Sequence, residues 1–303
     1  MFGPLSLNLY TSIRRCLWSK IAGVPTRWWL FTYCSVAIAK AQMYLLYKKY
    51  HRPKIPLNSI LKQIKNRSDT CHILGNGCGA LESVRAIKND ECVIAMNSGL
   101  FHEVRIDVYM AELHNSDDES LKGSQISIEE NVRFFKSIHQ ILKRKNPNCL
   151  VLLKNMMYDN ISPNVYDPEF SLITLPEVVY KFFPLGDNYI PFQKYLVDYI
   201  LNRESDIVIQ TGSSVTTAIT LAYKAGFKKI YLHGVEAKGS HYFHGEALGE
   251  DLDCTEAEVL AYLRRLFPKV SPTVSHRAGN YTKRTLQFFM DIAIKKGVEI
   301  RII

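Results

Sequence analysis

The stretch from Asp206 to Gly245 constrains the fold of this 303-residue chain more than any other. Four segments follow one another in it: an apolar strand, a turn of small hydroxyl residues, an apolar helix and a second strand, at residues 207–209, 211–214, 215–225 and 229–232. This order is typical of a parallel α/β sheet. The backbone N–H groups at the start of the helix, together with Ser213 and Ser214, suit an anionic ligand. The alternative is an ordinary βαβ unit in which these serines only cap the helix.

Positive charge is concentrated near the N-terminus. Residues 1–68 contain twelve Lys or Arg and no Asp or Glu, whereas the whole chain carries 38 basic and 29 acidic residues and a net charge of +9. The rest of the chain is therefore slightly acidic. A nucleic-acid-binding protein would be expected to carry its basic surface on the folded domain. The distribution argues against nucleic acid as a partner and favours a membrane surface with anionic lipid.

An apolar, aromatic run lies within this basic segment. It extends over residues 28–39, is interrupted at residues 40–42 by Lys and Gln, and resumes over residues 43–47. A membrane-spanning helix needs about 20 uninterrupted apolar residues. We therefore predict a helix that lies on the cytoplasmic face of a membrane without crossing it. A spanning signal anchor, a helix that packs on the domain and an organellar transit peptide are the alternatives.

Two prolines divide the chain into two parts. Pro53 and Pro56 are typical of a connector. We predict a basic, aromatic membrane-associating segment with its linker at residues 1–56 and a single catalytic domain at residues 57–303. The seven cysteines form no CxxC pair, which argues against structural zinc.

Polar residues follow three predicted strands. The strands and their polar ends are residues 70–74 with Gly75-Asn76-Gly77, residues 92–96 with Asn97, and residues 107–110 with Glu112. The glycine-rich turn lacks the third glycine of the dinucleotide fingerprint, so it is a weak signal alone. In an open parallel sheet the carboxyl ends of the strands line one crevice, where ligands bind. The sequence therefore predicts a ligand site at these three strand ends.

The rest of the domain alternates between helices and strands. The predicted segments are a capping-box helix after Ser127, a strand at 149–153, helices at 255–267 and 281–296, and a last strand at 298–303. Lys143-Arg144-Lys145 is interpreted as a solvated helix end. Residues 154–200, rich in Tyr, Phe and Pro, are interpreted as a long excursion that forms an acceptor-side wall or lid, with a buried aromatic cluster as the alternative.

Taken in order, these motifs resemble those of the bacterial lipooligosaccharide sialyltransferases and of the related Kdo-type transferases of lipopolysaccharide cores. The resemblance extends from Thr70 to Ile303 and rests on the GNG turn, Asn97, the Ser213-Ser214 pair, the run GFKKIYLHGVE and Ser275-His276. It implies a single Rossmann-like domain, a variant of the GT-A fold, with a mostly parallel sheet and a lid. It also implies a CMP-activated acidic sugar as donor, inversion of the anomeric centre, and no metal or other cofactor.

The resemblance implies roles for residues on the donor side of the crevice. Gly75, Asn76 and Gly77 would approach the cytidine nucleotide, and Asn97 would bond the nucleotide or the donor sugar. Ser213 and Ser214 would hold the donor carboxylate. Tyr242 would stand where the family has a tyrosine on the departing phosphate. To this implied role we add Lys238 as a second group that stabilises the phosphate.

Two positions depart from the family pattern. Glu112 stands where the family has an asparagine, and Asn280 stands where it has its histidine base. Asparagine cannot accept a proton in the working pH range. His276 is therefore assigned as the base, because histidine titrates near neutrality. The alternatives for this role are His241, His244, Glu112 and Glu236, of which the two glutamates are otherwise expected to contact the donor.

The sequence thus predicts a membrane-associated, inverting glycosyltransferase that moves an acidic sugar (sialic acid, Kdo or similar) from CMP to a glycan or glycolipid hydroxyl. Its partners would be the CMP-sugar, the acceptor and an anionic membrane, with a homo-oligomer left open. One alternative is a pyrophosphokinase-like or flagellin-modifying enzyme that uses another nucleotide. The other is a non-catalytic subunit that binds a nucleotide sugar.

Overall fold

The structure is a computed structural model. It describes residues 28, 30, 32–34, 36–37, 40–41, 44, 56–64, 68–77, 80–112, 128–154, 173–174, 177–179, 190–203, 206–210, 214–235, 252–266 and 276–303.

A seven-stranded sheet, parallel throughout, forms the centre of the described residues. Its strand order is β5-β4-β3-β2-β1-β8-β9. The strands are β1 (Thr70–Leu74), β2 (Cys92–Met96), β3 (Val108–Glu112), β4 (Leu150–Lys154), β5 (Ile173–Thr174), β8 (Lys229–His233) and β9 (Glu299–Ile302). A separate parallel pair joins β6 (Glu177–Val179) to β7 (Val208–Gln210). The direction of strand succession reverses at β1, because β2 and β8 lie on its two sides.

From residue 56 onward, seven α-helices accompany the strands in the described part of the chain. They are α1 (Leu57–Ile64), α2 (Ala80–Ser83), α3 (Ile128–Lys145), α4 (Ile190–Asn202), α5 (Ser214–Ala225), α6 (Cys254–Leu266) and α7 (His276–Ile294). Single 3₁₀ turns occur at Val84–Ala86 and Asn97–Phe101.

The sheet is covered on both faces. Alternate residues of each strand point to opposite sides, so Cys71 and Ile73 of β1 join one buried cluster while Leu74 joins the other. The first cluster contains residues of α1, α4, α5 and α7, and the second contains residues of α2, α3 and α6. Helices on both faces of a parallel sheet define a doubly wound α/β fold, which confirms the predicted fold class.

Most predicted elements lie within two residues of their observed bounds. The clearest difference is at α7, which begins at His276 and not at residue 281. The predicted excursion over residues 154–200 contains α4, whose Phe192 and Leu196 are buried in the first cluster. This part of the excursion therefore matches the alternative, a buried aromatic cluster. The strand β7 pairs with β6 and not with β8, so the expected βαβ unit is split between two sheets.

The described residues between 28 and 44 are helical, and one side of this N-terminal helical segment packs on the domain. Thr32 and Val36 are buried, and Trp28 meets Phe192 of α4 with ring centroids 6.1 Å apart. Leu30, Tyr33 and Tyr44 are exposed on the segment. No helix within the described ranges is long and apolar enough to cross a membrane.

A charged cluster joins the end of α3 to the start of α6. The carboxylate of Glu256 is buried and lies 3.1 Å from Arg144 and 2.6 Å from Lys145, and Arg144 also pairs with Asp253. Asp253 and Glu256 form a reciprocal capping box, in which each side chain accepts the backbone N–H of the other. Lys143, Arg144 and Lys145 are exposed at the end of α3, as predicted for a solvated helix end, and Arg144 and Lys145 also pair with a carboxylate far away in sequence.

Candidate functional site

The predicted site lies at the switch point of the sheet. β1 ends at Leu74 and leads into Gly75-Asn76-Gly77, and the neighbouring β8 ends at His233 and leads into Gly234. Two backbone hydrogen bonds join the ends: Gly75 N–H donates to the His233 carbonyl at 2.8 Å, and Gly77 N–H donates to the Gly234 carbonyl at 2.9 Å. In doubly wound folds, the crevice outside the carboxyl ends at such a point is the usual ligand site.

Close contact between the two loops explains the glycines. A Cβ on Gly75 would lie 2.6 Å from the Gly234 carbonyl oxygen, and one on Gly77 would lie 2.8 Å from the same atom. Gly234 has a φ of +60°, and its Cβ would lie 2.9 Å from the Cβ of Ala80. Each position therefore excludes a side chain for a reason internal to the protein. The predicted approach of Gly75 and Gly77 to a nucleotide remains a prediction.

The loop of Asn76 is hydrogen-bonded to the loop of Asn97 through Ser98, the residue after Asn97. Ser98 is buried, and its hydroxyl donates to the Asn76 Oδ1 at 2.9 Å. Asn97 has a φ of +48°, which makes it the single left-handed residue other than glycine among those described. Asparagine tolerates this conformation better than most residues, and the Tyr109 hydroxyl holds it by donating to its carbonyl at 2.9 Å. The structure therefore brings the two predicted asparagine positions to one edge of the sheet.

Of the other predicted site residues, the structure describes Ser214, Glu112 and His276. Ser214 is the half-buried first residue of α5, a helix that packs against β1 and β8. Glu112 ends β3 with its backbone beside Lys154 of β4, and His276 opens α7. Asn280 follows one turn later on the same helix. Ser213, Glu236, Lys238, His241, Tyr242 and His244 lie outside the described residues.

A chain of buried side chains beside the glycine turn was not predicted from the sequence. His72 of β1 meets His233 of β8 at 2.8 Å, Nδ1 to Nε2. The other nitrogen of His72 lies 3.0 Å from Glu91 Oε2, and the other nitrogen of His233 lies 2.8 Å from Ser83 Oγ. The pairing depends on the register of β1 with β8, which sets His72 opposite Tyr231 and Leu74 opposite His233. No local pattern of residues reveals that register.

Burial controls the charge of these histidines. Desolvation lowers the pKa of His72, and Glu91 partly opposes this effect. Desolvation, followed by the neighbouring His72 and His102, lowers the pKa of His233 to about 4. The pKa of His102 is also lowered to about 4 by burial. All three imidazoles are therefore uncharged near neutral pH.

A cavity of about 580 Å³ lies at the amino ends of the strands, opposite the carboxyl ends that form the predicted site. Its lining includes Arg105 and Asp107, which come just before β3, and Asn146, which comes before β4. Arg105 is already engaged by both carboxylate oxygens of Asp107 and by two backbone carbonyls. This arrangement ties loops together and lies away from the switch point.

Within the described residues, no group of three or more His, Cys, Asp or Glu side chains is arranged to hold a metal ion. The expected absence of a metal stays a prediction, because several acidic and histidine residues of the predicted site lie outside the described ranges.

Comparison with known proteins gives a limited result. No family model and no curated protein matches the chain. Among solved structures, it is similar to the apo α-2,3-sialyltransferase of Campylobacter jejuni, with 14% identity, 67% of this chain and 73% of that chain covered, and a TM-score of 0.33. It is also similar to the sialyltransferase CstII of the same organism in complex with cytidine-5'-monophosphate, with 15% identity, 66% and 77% covered, and a TM-score of 0.32. Likeness at this level carries no argument about function, and the class rests on the fold and site alone: a doubly wound α/β protein in which the glycine turn and Asn97 meet at the switch point of the sheet.

Proposed function

We propose that this chain is an inverting glycosyltransferase that moves an acidic sugar from a CMP-activated donor to a hydroxyl of a glycan or glycolipid. The observation that carries the proposal is the meeting of the Gly75-Asn76-Gly77 turn and Asn97 at the switch point of a parallel sheet. These are the motifs through which the sequence resembles the sialyltransferases. A crevice at this position is suited to a nucleotide.

The hydrogen bonds of the turn limit how a nucleotide could be bound. The N–H groups of Gly75 and Gly77 already donate to the carbonyls after β8. The Asn76 side chain accepts from Ser98 through Oδ1, which directs its NH₂ group away from that contact. We therefore assign recognition of nucleotide oxygens to the Asn76 amide and to Asn97, and assign the glycines to holding the turn in place.

The proposed reaction is a direct displacement at the anomeric carbon. The acceptor hydroxyl oxygen forms the new glycosidic bond while the bond from the anomeric carbon to the CMP phosphate oxygen breaks, through an oxocarbenium-like transition state. Lys238, Tyr242 and backbone N–H groups would stabilise the departing CMP. Ser213 and Ser214, at the start of α5, would hold the donor carboxylate, with Glu112 and Glu236 close to the donor.

His276 is the proposed base that takes the acceptor proton. It is the first residue of α7, and the N-terminal end of a helix disfavours positive charge. An uncharged imidazole is the form that accepts a proton. Asn280 lies on the same helix one turn later, so the family's base position and its proposed replacement belong to one element.

The N-terminal helical segment is proposed to lie between the domain and the cytoplasmic face of a membrane. Trp28, Thr32 and Val36 face the domain, whereas Tyr33 and Tyr44 are exposed on the segment. The flanking sequence is basic and free of acidic residues. Aromatic side chains and basic flanks suit the headgroup region of anionic lipid. This position would hold the enzyme where a lipid-linked acceptor resides.

Release of CMP tests the proposed activity. Purified protein is incubated with CMP-sialic acid or CMP-Kdo, with and without EDTA, and free CMP is measured. We expect CMP release that EDTA does not reduce. Activity only with another nucleotide and magnesium would support the pyrophosphokinase-like alternative. Binding of a CMP-sugar without release of CMP would support the non-catalytic subunit.

A further inference from the structure

The geometry of the hydrogen-bonded side chains beside the glycine turn determines where their protons lie. Glu91 Oε2, His72, His233 and Ser83 Oγ are linked in that order at 3.0, 2.8 and 2.8 Å. Both imidazoles are almost fully buried, with 5% of His72 and 3% of His233 exposed. Buried polar groups in such a setting require satisfied hydrogen bonds.

Glu91 fixes the direction of this series of hydrogen bonds, because its Oε2 also accepts the backbone N–H of Lys88 at 3.0 Å and is therefore an acceptor. A carboxylate only accepts hydrogen bonds, so His72 carries its proton on Nε2 and donates it to Glu91. An uncharged His72 then accepts at Nδ1 from the Nε2–H of His233. An uncharged His233 in turn accepts at Nδ1 from the Ser83 hydroxyl. The three contacts among these four side chains are all satisfied when both rings are neutral and protonated on Nε2. The Ser83 hydroxyl then donates to His233 Nδ1 at 2.8 Å in preference to the Ala80 carbonyl at 3.4 Å.

Added protons would disturb this arrangement in two stages. One proton on His72 reverses the two contacts beyond it, so that His233 would donate to Ser83. A second proton places two N–H groups against each other between the rings, which removes that hydrogen bond. The groups that face the pair are Glu91, Ser83, the ring of Tyr231 at 5.4 Å from His72, and His102. Of these only Glu91 favours a positive charge.

The four hydrogen-bonded side chains contact the segments before and after the glycine turn. His72 belongs to β1, which leads into the turn, and Ser83 belongs to α2, which follows it. His233 bonds both side chains, while its own carbonyl accepts from Gly75 and the next carbonyl accepts from Gly77. The His233 imidazole therefore links the strand before the turn and the helix after it to the same strand end that the backbone of the turn contacts.

We propose that Glu91, His72, His233 and Ser83 form a hydrogen-bond relay that positions the Gly75–Gly77 turn for nucleotide binding, with both imidazoles neutral and protonated on Nε2. These are positioning residues, since they act through the backbone of the turn. The effect on nucleotide affinity rests on the proposed function, whereas the protonation pattern does not.

The protonation pattern is tested by NMR on the full chain labelled with ¹⁵N-histidine. Two-bond ¹H–¹⁵N correlations distinguish the two tautomers and the charged form of each imidazole. The signals of His72 and His233 are assigned by their loss in His72→Gln and His233→Gln. We expect Nε2–H tautomers for both residues at pH 7.5. An Nδ1–H tautomer or an imidazolium at either residue would overturn the relay.

The positioning role is tested by calorimetric titration with CMP as the probe. We expect His233→Gln to weaken CMP binding by about tenfold, the effect of losing roughly one hydrogen bond that orders the site. His139→Gln is the matched control, because His139 lies on α3 beside the cavity at the amino ends of the strands. It should bind CMP as the wild type does.

The pH dependence separates the relay from a general loss of packing. The ratio of wild-type to mutant affinity is taken at each pH, which cancels the titration of the CMP phosphate. The ratio should be largest at pH 7.5 and approach one as acid charges the wild-type pair. A ratio that stays constant with pH, or a His233→Gln variant that binds as tightly as wild type, would refute the positioning role.

Two outcomes keep the inference and the proposed function apart. If the wild type does not bind CMP, the proposed function fails while the NMR result still decides the protonation pattern. If His233→Gln does not fold, Ser83→Ala removes only the outermost bond of the relay. We then expect about threefold weaker CMP binding, and unchanged binding would contradict the role.

Discussion

Replacing Gly234 by alanine should destabilise the protein more than the same change at Gly297. Both glycines have positive φ, +60° and +71°, so both substitutions carry the left-handed backbone cost of about 1–2 kcal/mol. Alanine also restricts the unfolded chain, which offsets about 0.4–1 kcal/mol of that cost. Backbone conformation alone should therefore cost about 1 kcal/mol at either position.

The two positions differ in the space around the added methyl group. At Gly297 nothing lies within 4 Å, whereas at Gly234 the methyl carbon would lie 2.6 Å from the Gly77 carbonyl oxygen and 2.9 Å from the Ala80 Cβ. Overpacking of this kind costs about 1–3 kcal/mol. Gly234→Ala should therefore lower the free energy of unfolding by about 2–4 kcal/mol.

Thermal unfolding monitored by circular dichroism measures the difference. At about 2–4 °C per kcal/mol for a chain of this size, Gly234→Ala should lower Tm by about 5–10 °C and Gly297→Ala by about 3 °C. Equal shifts for the two variants would refute the claim that the loops after β1 and β8 are held in close contact. The site would then lack the geometry on which the proposed function depends.

Three further predictions address other parts of the molecule. Glu256→Ala removes the buried partner of two cations and a cap, and should reduce stability by about 1–3 kcal/mol in denaturant titration. The exposed Glu103→Ala should change it by less than about 0.5 kcal/mol. Burial lowers the pKa of His233 to about 4 in the folded protein, whereas the unfolded chain binds that proton near pH 6.5. The free energy of unfolding should therefore fall by up to about 3 kcal/mol as the pH drops from about 6.5 to about 4. His233→Gln should flatten this pH profile. Tyr33→Asp, at an exposed position, should weaken sedimentation of the protein with anionic vesicles without lowering Tm. Val36→Ala, at a buried position, should lower Tm by about 2 °C or more. The reverse pattern would contradict the proposed orientation of the N-terminal helical segment.

The sequence was sufficient for the elements whose signals are local. β1 and β2 are short apolar runs that end at glycine or asparagine, and α5 is an apolar run closed by Gly226, so their bounds were predicted within a residue. The helix α4 was missed although Phe192, Leu196 and Ile200 recur every four residues on its buried face. The surrounding tyrosines and prolines favoured an irregular excursion instead.

The site was predicted in outline but not in its internal contacts. The rule for strand ends in a parallel sheet placed Asn76 and Asn97 at one edge. The reason for the glycines was different from the one expected, because Gly75 and Gly77 are fitted to Gly234, which the chain reaches only after seven further strands. The histidine relay depends in the same way on which strands become neighbours, which a single sequence does not reveal.

Nucleotide binding tests the central claim most directly. Calorimetric titration of the full chain with CMP, UMP, GMP and AMP, in the presence of EDTA, measures both the existence of the site and its choice of base. We expect CMP to bind more tightly than the other three nucleotides. We expect Asn76→Ala to weaken CMP binding and to lower Tm by only about 2–5 °C, the effect of losing the hydrogen bond from Ser98. No binding of CMP, or tighter binding of a purine nucleotide, would contradict the assignment of this crevice to a CMP-activated donor.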